Sequence, residues 1–313
     1  MKLPKLTVVL PTHNPKNDKL AATLQALRDQ TLTSGEWQLL IIDNASTSPV
    51  KVDLSWHPDA TIIIEPELGL TYARIRGIQE SHHSCLVFVD DDNLLDKSYL
   101  AEAARIFESH PRLGIFGGKS IPHFEVSPPD WLPSPPIGLG IRDLGESESI
   151  YRAEEYRMQR SYPDAAPIGA GMVLRKEAAA CYLRQQRPGT GSKLITDRRG
   201  GTLSSGGDCD IVMTLLEGGW DCGYFPQLQL THLIPAVRLT EEYQYRLARD
   251  LMCSWVLVLH KHGISPWPRI PRWTLLPRYL KAWFTHGAWK GASEKIAWHA
   301  SCGQFNGQAS LST

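Results

Sequence analysis

The sequence lacks any run of the ~18 to 20 apolar residues that a membrane-crossing helix needs. Its opening, MKLPKLTVVLPTHNP, has too short an apolar stretch for a secretory signal. It also lacks net charge, because 33 basic and 33 acidic residues cancel. No whole-molecule field then draws the chain to nucleic acid or to an anionic surface, and an anionic ligand must be met by local groups. Paired cysteine spacing is missing as well. Cys85, Cys181, Cys209, Cys222, Cys253 and Cys302 are scattered without a CxxC motif, several inside apolar runs, and read as reduced core residues. These absences lead us to expect a cytoplasmic protein. The dinucleotide-binding fingerprint is absent too: Gly138-Leu139-Gly140 follows a proline-rich stretch instead of a strand and has no third glycine at the required spacing.

What is present is enough apolar material for a full core, 42% of 313 residues. The first 120 residues alternate short β-branched runs with amphipathic stretches, the pattern of a mostly parallel sheet covered by helices. Strands are expected at LTVVLP from Leu6, WQLLIID from Trp37, ATIIIEP from Ala60 and CLVFVDDD from Cys85. Helical spacing joins Leu20, Ala21, Leu24 and Leu27, with Asn17 or Asp18 as the expected cap. Further helices are expected at Tyr72 to Gln79 and around Leu100, Ala103, Ala104 and Phe107. From Pro122 to Asp164 the pattern reads as one long loop, since SPPDWLPSPP carries five prolines in ten residues. Order returns as a strand and helix at APIGAGMVLRKEAAACYL, then as a helix and strand pair at GGDCDIVMTLLEGGWDCGYFPQLQLTH. Beyond Leu239 the chain reads as mostly helical, with Tyr243, Leu247, Leu251 and Trp255 on one stripe.

The sharpest chemical signal is Asp90-Asp91-Asp92-Asn93 at the end of an apolar strand. Three adjacent acids repel one another unless a cation or hydrogen-bond donors gather there. Hard oxygen ligands of this kind suit Mg²⁺ or Mn²⁺, and ligands of open α/β sheets collect at the carboxyl ends of strands. A second constellation is Gly206-Gly207-Asp208-Cys209-Asp210, which opens a helix after a Gly- and Ser-rich loop. Asp208 there is open to two readings, a general base acting on a hydroxyl or an ordinary helix cap. His232, after the strand-like QLQLT, is either structural or an imidazole beside the metal.

The order of these motifs resembles the inverting family 2 glycosyltransferases over residues 5 to 235. The resemblance implies the GT-A fold, an α/β nucleotide-diphospho-sugar transferase architecture with a Rossmann-like mixed sheet flanked by helices. It implies a domain over 1–235, with a nucleotide-sugar half at 1–120 and an acceptor half at 121–235, followed by a helical C-terminal extension at 236–313. VVLPTHNP and IIDNAS look like the family's first two nucleotide-binding strands, so Pro11, Thr12 and Asp43 would hold the base and ribose. GLTYARIRGI is similar to its Gly-x-x-x-Ala-Arg helix and would bring Arg74 to the nucleotide. VDDDN resembles its Asp-x-Asp motif: Asp90 would lie near the ribose, Asp91 fills the variable middle position on the donor side, and Asp92 would bind the metal. GAGMVLRKEA would frame the acceptor, with Gly171 at close approach, and GGDCD places the catalytic base at Asp208. His232 matches a histidine that completes the metal site in some members. The departure is Gly207, where the family usually has Glu, and it bears on the acceptor contacts.

The expected activity is therefore transfer of a sugar from a nucleotide-sugar, UDP being the commonest carrier, to a glycan or lipid-linked glycan hydroxyl, assisted by Mg²⁺ or Mn²⁺. Two alternatives are a sugar nucleotidyltransferase and a non-catalytic nucleotide-sugar-binding protein. The first would want a glycine-rich basic loop for a triphosphate, whereas THNPKND offers Lys16 and no glycine. The segment from Pro266 to Gly291 mixes Trp and Phe with Lys and Arg. That composition suits either a peripheral contact at the inner face of a membrane or a helix packed on the domain with a basic outer face.

Overall fold

The computed structural model describes residues 3–134, 136–186 and 202–311. Its centre is a mixed sheet built first from β1 (Leu6–Thr12), β2 (Trp37–Asn44), β3 (Ala60–Glu65) and β4 (Cys85–Phe88). β1 pairs in parallel with both β2 and β4, and β2 with β3. Every residue of β1 and β2 is buried, which is why these strands read as continuous apolar runs instead of alternating ones. Alternation survives in where the side chains go. Val8 and Leu10 pack under α1 (Asn17–Arg28) and α3 (Tyr99–Ser109), while Val9 points to the other layer with α2 (Leu70–Glu80).

The sheet continues through β5 (Asn93–Leu95), β6 (Leu113–Phe124), β7 (Ser149–Tyr151), β8 (Val173–Arg175) and β9 (Asp221–Ile234), in the order β3-β2-β1-β4-β8-β6-β9-β5 with β7 also on β9. Three helices, α4 (Ala153–Gln159), α5 (Lys176–Gln185) and α6 (Gly207–Glu217), lie between these strands in the chain. After β9 come α7 (Glu241–Lys261), α8 (Leu275–His286) and α9 (Ala292–Ser310). α7 and α9 approach closely because Gly303 and Gly307 leave room for the α7 backbone: a Cβ at Gly303 would stand 2.0 Å from the Arg249 carbonyl oxygen.

Several expectations change. Neither Asn17 nor Asp18 caps α1; the cap position is Lys16, and Asp18 lies inside the first turn, where its charge suits the helix N-terminus. The stretch expected to be one long loop begins with the end of β6 and holds β7 and α4, short elements that tertiary pairing stabilises beside the prolines. β9 is one long strand, not a strand pair; a register shift against β6 between Gly117 and Lys119 accommodates the break around Pro226. Part of the Gly- and Ser-rich loop before α6, Gly200 and Gly201, lies outside the described residues. All six cysteines are free, and burial pushes the Cys85 and Cys222 thiols up to about 12, so neither is a reactive thiolate.

Candidate functional site

At the carboxyl ends of β1 and β4 lies a cavity of about 540 Å³, within the range of small-molecule sites. Its wall brings together Pro11, Thr12, Arg74, Asp90, Asp91, Asp92, Asp208 and His232. Asp43 does not line it. Its two carboxylate oxygens accept from the backbone amides of Ser46 (3.2 Å) and Val50 (3.0 Å), closing the loop after β2 on itself. The next residue, Asn44, reaches the cavity instead. Its amide donates to the Glu67 carbonyl (2.7 Å) and its oxygen accepts from Gly69 N–H (2.7 Å), fixing the entry to α2.

Arg74, on α2, is buried, and its guanidinium fills the space beside Gly169: a Cβ there would stand 2.3 Å from Nη2. The expected close approach at Gly171 also exists, but towards protein. A Cβ at that residue would meet Tyr99 Oη and Leu230, and the Tyr99 hydroxyl donates to the Gly171 carbonyl. Gly169 and Ala170 form the cavity wall in its place.

The three acids do not face one another unopposed. Asp91 accepts a hydrogen bond from the Thr12 hydroxyl, yet burial pushes its carboxyl up to about 6. Asp92 is buried too, but the positive charges of neighbouring Arg238 and Lys19 help outweigh the desolvation and hold its carboxyl well below the usual carboxylate range. Antiparallel pairing of β5 with β9 sets Asn93 opposite His232, which brings the preceding Asp92 to the imidazole, Oδ2 to Nε2 3.4 Å. Arg238 Nη2 donates to Asp92 Oδ2 (3.0 Å), and its Nη1 to His232 Nε2 (3.0 Å). A guanidinium only donates, so Nε2 presents its lone pair.

That donor set fits a divalent cation. Two ligands held at right angles about 2.1 Å from one ion lie about 3.0 Å apart, close to the separation of Oδ2 and Nε2. Among the described residues no group of three or more such side chains gathers, so this pair would have to be completed by other ligands. Mg²⁺ commonly binds one or two protein groups and completes its shell with water and substrate phosphate.

Asp208 stands in the first turn of α6. Gly206, not Asp208, occupies the cap position, so the cap reading is set aside. Through Oδ2 the carboxylate reaches across to another segment, accepting from Gly169 N–H (3.0 Å), while Oδ1 accepts from the N–H of the next residue in α6, Cys209 (2.9 Å). Asp210 faces the other way. It is fully buried, bonded to Lys261 and to His262 Nε2 (2.9 Å), and ties α6 to the end of α7. The two acids of GGDCD are thus divided between cavity and core.

Sequence reasoning missed Arg238, Asn44 and the Gly138–Gly140 turn. That turn lines the cavity with Gly138 and Gly140 at φ +77° and +68°, Gly140 against the His232 ring. Its two glycines are the sequence mark of such a turn, but as a dinucleotide motif they point to no site. Arg238 and Leu251 show that residues after 235 also build the cavity wall.

A model of the family described as Glycosyl transferase family 2 matches residues 7–183. The chain belongs to this family. Curated relatives include an uncharacterized glycosyltransferase of Haemophilus influenzae, 28% identical over 111 residues, 35% of this chain and 37% of that one. The uncharacterized glycosyltransferase YwdF of Bacillus subtilis is 28% identical over 107 residues, 34% of this chain and 39% of that one. The match thus spans well under half the length of either relative. Among solved structures, S. aureus TarS 1-349 in complex with UDP is similar at a TM-score of 0.52 and 11% identity, over 96% of this chain and 90% of that chain. At that identity the likeness concerns the fold, and it agrees with the GT-A architecture of a family 2 enzyme with a helical C-terminal region.

Proposed function

We propose that this family 2 enzyme is an inverting, cation-assisted glycosyltransferase. It would move a hexosyl or related sugar from a nucleotide-sugar, UDP-linked donors first, to a hydroxyl of a glycan or lipid-linked glycan. The observation that carries the reading is that Asp92 and Asp208 line one cavity, the former beside His232 and the latter hung from the Gly169 amide. The UDP bound by TarS supports a uridine nucleotide as the carrier.

Pro11, Thr12, Arg74, Asp90 and Asp91 hold the nucleotide and ribose in this reading, with Asn44 at their side; Asp43 acts indirectly, by holding in shape the loop that follows Asn44. Asp92 and His232 hold Mg²⁺ or Mn²⁺. When bound, the ion supplies neutralisation of the leaving diphosphate. Asp208 takes the proton from the acceptor hydroxyl as its oxygen attacks the anomeric carbon from the face opposite the diphosphate, and that single displacement inverts the configuration. The two backbone amides on Asp208 fix its orientation and leave each oxygen a lone pair for the proton. Release of nucleoside diphosphate from a panel of nucleotide-sugars, with and without Mn²⁺, tests the activity; no release from any of them would favour the non-catalytic binding protein.

A contact with a bilayer surface belongs to the same reading. Among the described residues no helix is long and apolar enough to cross a membrane. The α8 region nevertheless exposes Trp273, Leu276, Leu280, Phe284 and Trp289, each more than half accessible. Arg269, Arg272, Arg278, Lys281 and Lys290 are exposed around them, and no acidic residue falls between Asp250 and Glu294. Aromatic rings at headgroup depth with basic residues beside anionic lipid would serve a lipid-linked acceptor.

A further inference from the structure

The cation site proposed above depends on two atoms that a third residue already grips, and the inference drawn here rests on that cation reading. Arg238 lies in the short 3₁₀ turn Ala236–Leu239 after β9. Its main chain is pinned: its N–H donates to the Pro235 carbonyl (2.9 Å), and its own carbonyl accepts from the side chain of buried Gln244 on α7 (2.7 Å). Its side chain stretches back to the cavity wall, where Nη2 stands 3.0 Å from Asp92 Oδ2 and Nη1 3.0 Å from His232 Nε2. These are the same oxygen and the same lone pair that a divalent ion needs. His232 Nε2 has a single lone pair, so a guanidinium at 3.0 Å and an ion at about 2.1 Å cannot share it, and around Asp92 Oδ2 their like charges repel.

We infer that Arg238 is a resident counter-ion which holds the cation seat closed in the donor-free enzyme. Metal alone must displace a two-pronged, charge-assisted grip and leave the guanidinium facing a second cation. Metal arriving with a nucleoside diphosphate gives that guanidinium a new partner, because a planar fork of donors matches phosphate oxygens as well as it matches Asp92 and His232. Arg238 is thus a positioning residue that couples metal to donor, and by linkage each must raise the affinity for the other by the same factor.

Titration with Mn²⁺ alone and with Mn²⁺ in the presence of UDP, read by electron paramagnetic resonance, tests this without any turnover. The wild-type protein is expected to bind Mn²⁺ alone weakly, with UDP tightening it about tenfold to a hundredfold. Arg238→Met is expected to bind Mn²⁺ alone about tenfold more tightly, with the gain from UDP reduced to match. Arg238→Lys, which keeps the charge but loses the fork, should show part of that gain. The control is Lys19→Met, since Lys19 lies near Asp92 but donates to the Leu233 carbonyl (2.8 Å) without touching the seat; it should change either affinity little. The inference is overturned if Arg238→Met binds Mn²⁺ alone no better than wild type, or if Lys19→Met gives an equal gain, which would reduce the effect to bulk charge. If UDP binds but no protein takes up Mn²⁺ beside it, the cation reading itself fails and this inference with it.

Discussion

The backbone amide of Gly169 donates a 3.0 Å hydrogen bond to Asp208, while the place a side chain would take at the same glycine is filled by the guanidinium of Arg74. One residue without a side chain therefore sets the orientation of the candidate base and the reach of a candidate donor-binding cation.

Gly169→Ala inserts a methyl 2.3 Å from Arg74 Nη2, so the guanidinium must move. UDP affinity is expected to fall about tenfold, the scale of one lost hydrogen bond to a charged group, with little change in melting temperature. Calorimetry with UDP checks it, and unchanged affinity would take Arg74 out of the donor site.

Asp92→Ala is expected to abolish the part of donor binding that depends on Mn²⁺ while leaving the fold intact. The fold survives because the partner it strands, Arg238, lies at a cavity open to water. Binding of UDP measured with and without Mn²⁺ decides it: an Mn²⁺ dependence equal to wild type would exclude Asp92 from the cation site.

The sequence showed the first half of this fold because β1, β2 and β4 are buried on both faces and so are written as largely apolar runs between turn residues, with the β-branched run of half-exposed β3 beside them. The acidic triplet and the glycine-led Asp208 were legible for a similar reason, since each sits where a strand or helix begins or ends. What stayed hidden was set by distance along the chain. β5 is three residues, too short for any periodicity, yet its register against β9 is what brings Asp92 to His232. Arg238 is one of 33 basic residues and meets Asp92 across 146 positions, so nothing local marks it. Asp208 and Asp210 look alike in sequence, and only the turn of α6 sends one to the cavity and the other to Lys261 and His262.

His262 gives the stability of the protein a pH dependence. Burial alone would lower its pKa, but Asp210 and Glu217, which hold its two ring nitrogens, outweigh that and raise it above the ordinary value of 6.5. The group binds its proton more tightly folded than unfolded, so its contribution is complete below about pH 6.5 and is lost as pH rises through the folded value. His262→Gln is expected to lower the melting temperature by roughly 3 °C at pH 5.5, and by less at pH 8.5. A deficit that grows with pH would reverse the sign and refute the assignment.

The bilayer contact predicts that the protein sediments with anionic liposomes at low salt and is released near ~0.5 M salt, where screening acts over a few ångströms. Replacing Trp273, Leu276 and Phe284 together with Ser should abolish sedimentation without lowering the melting temperature, because all three are exposed. Sedimentation equal to wild type would make α8 a packing element only.

The central claim is that Asp208 removes the acceptor's proton in a single inverting displacement. Asp208→Asn keeps the shape and one of the two carbonyl-type oxygens that the Gly169 and Cys209 amides address, but it cannot take a proton at ordinary pH. Turnover is expected to fall roughly 10²- to 10⁴-fold with UDP affinity and melting temperature nearly unchanged. Proton NMR of the early wild-type product should show the anomeric configuration opposite to that of the donor. Near-normal turnover in Asp208→Asn, or retention of configuration in the wild-type product, would contradict the account.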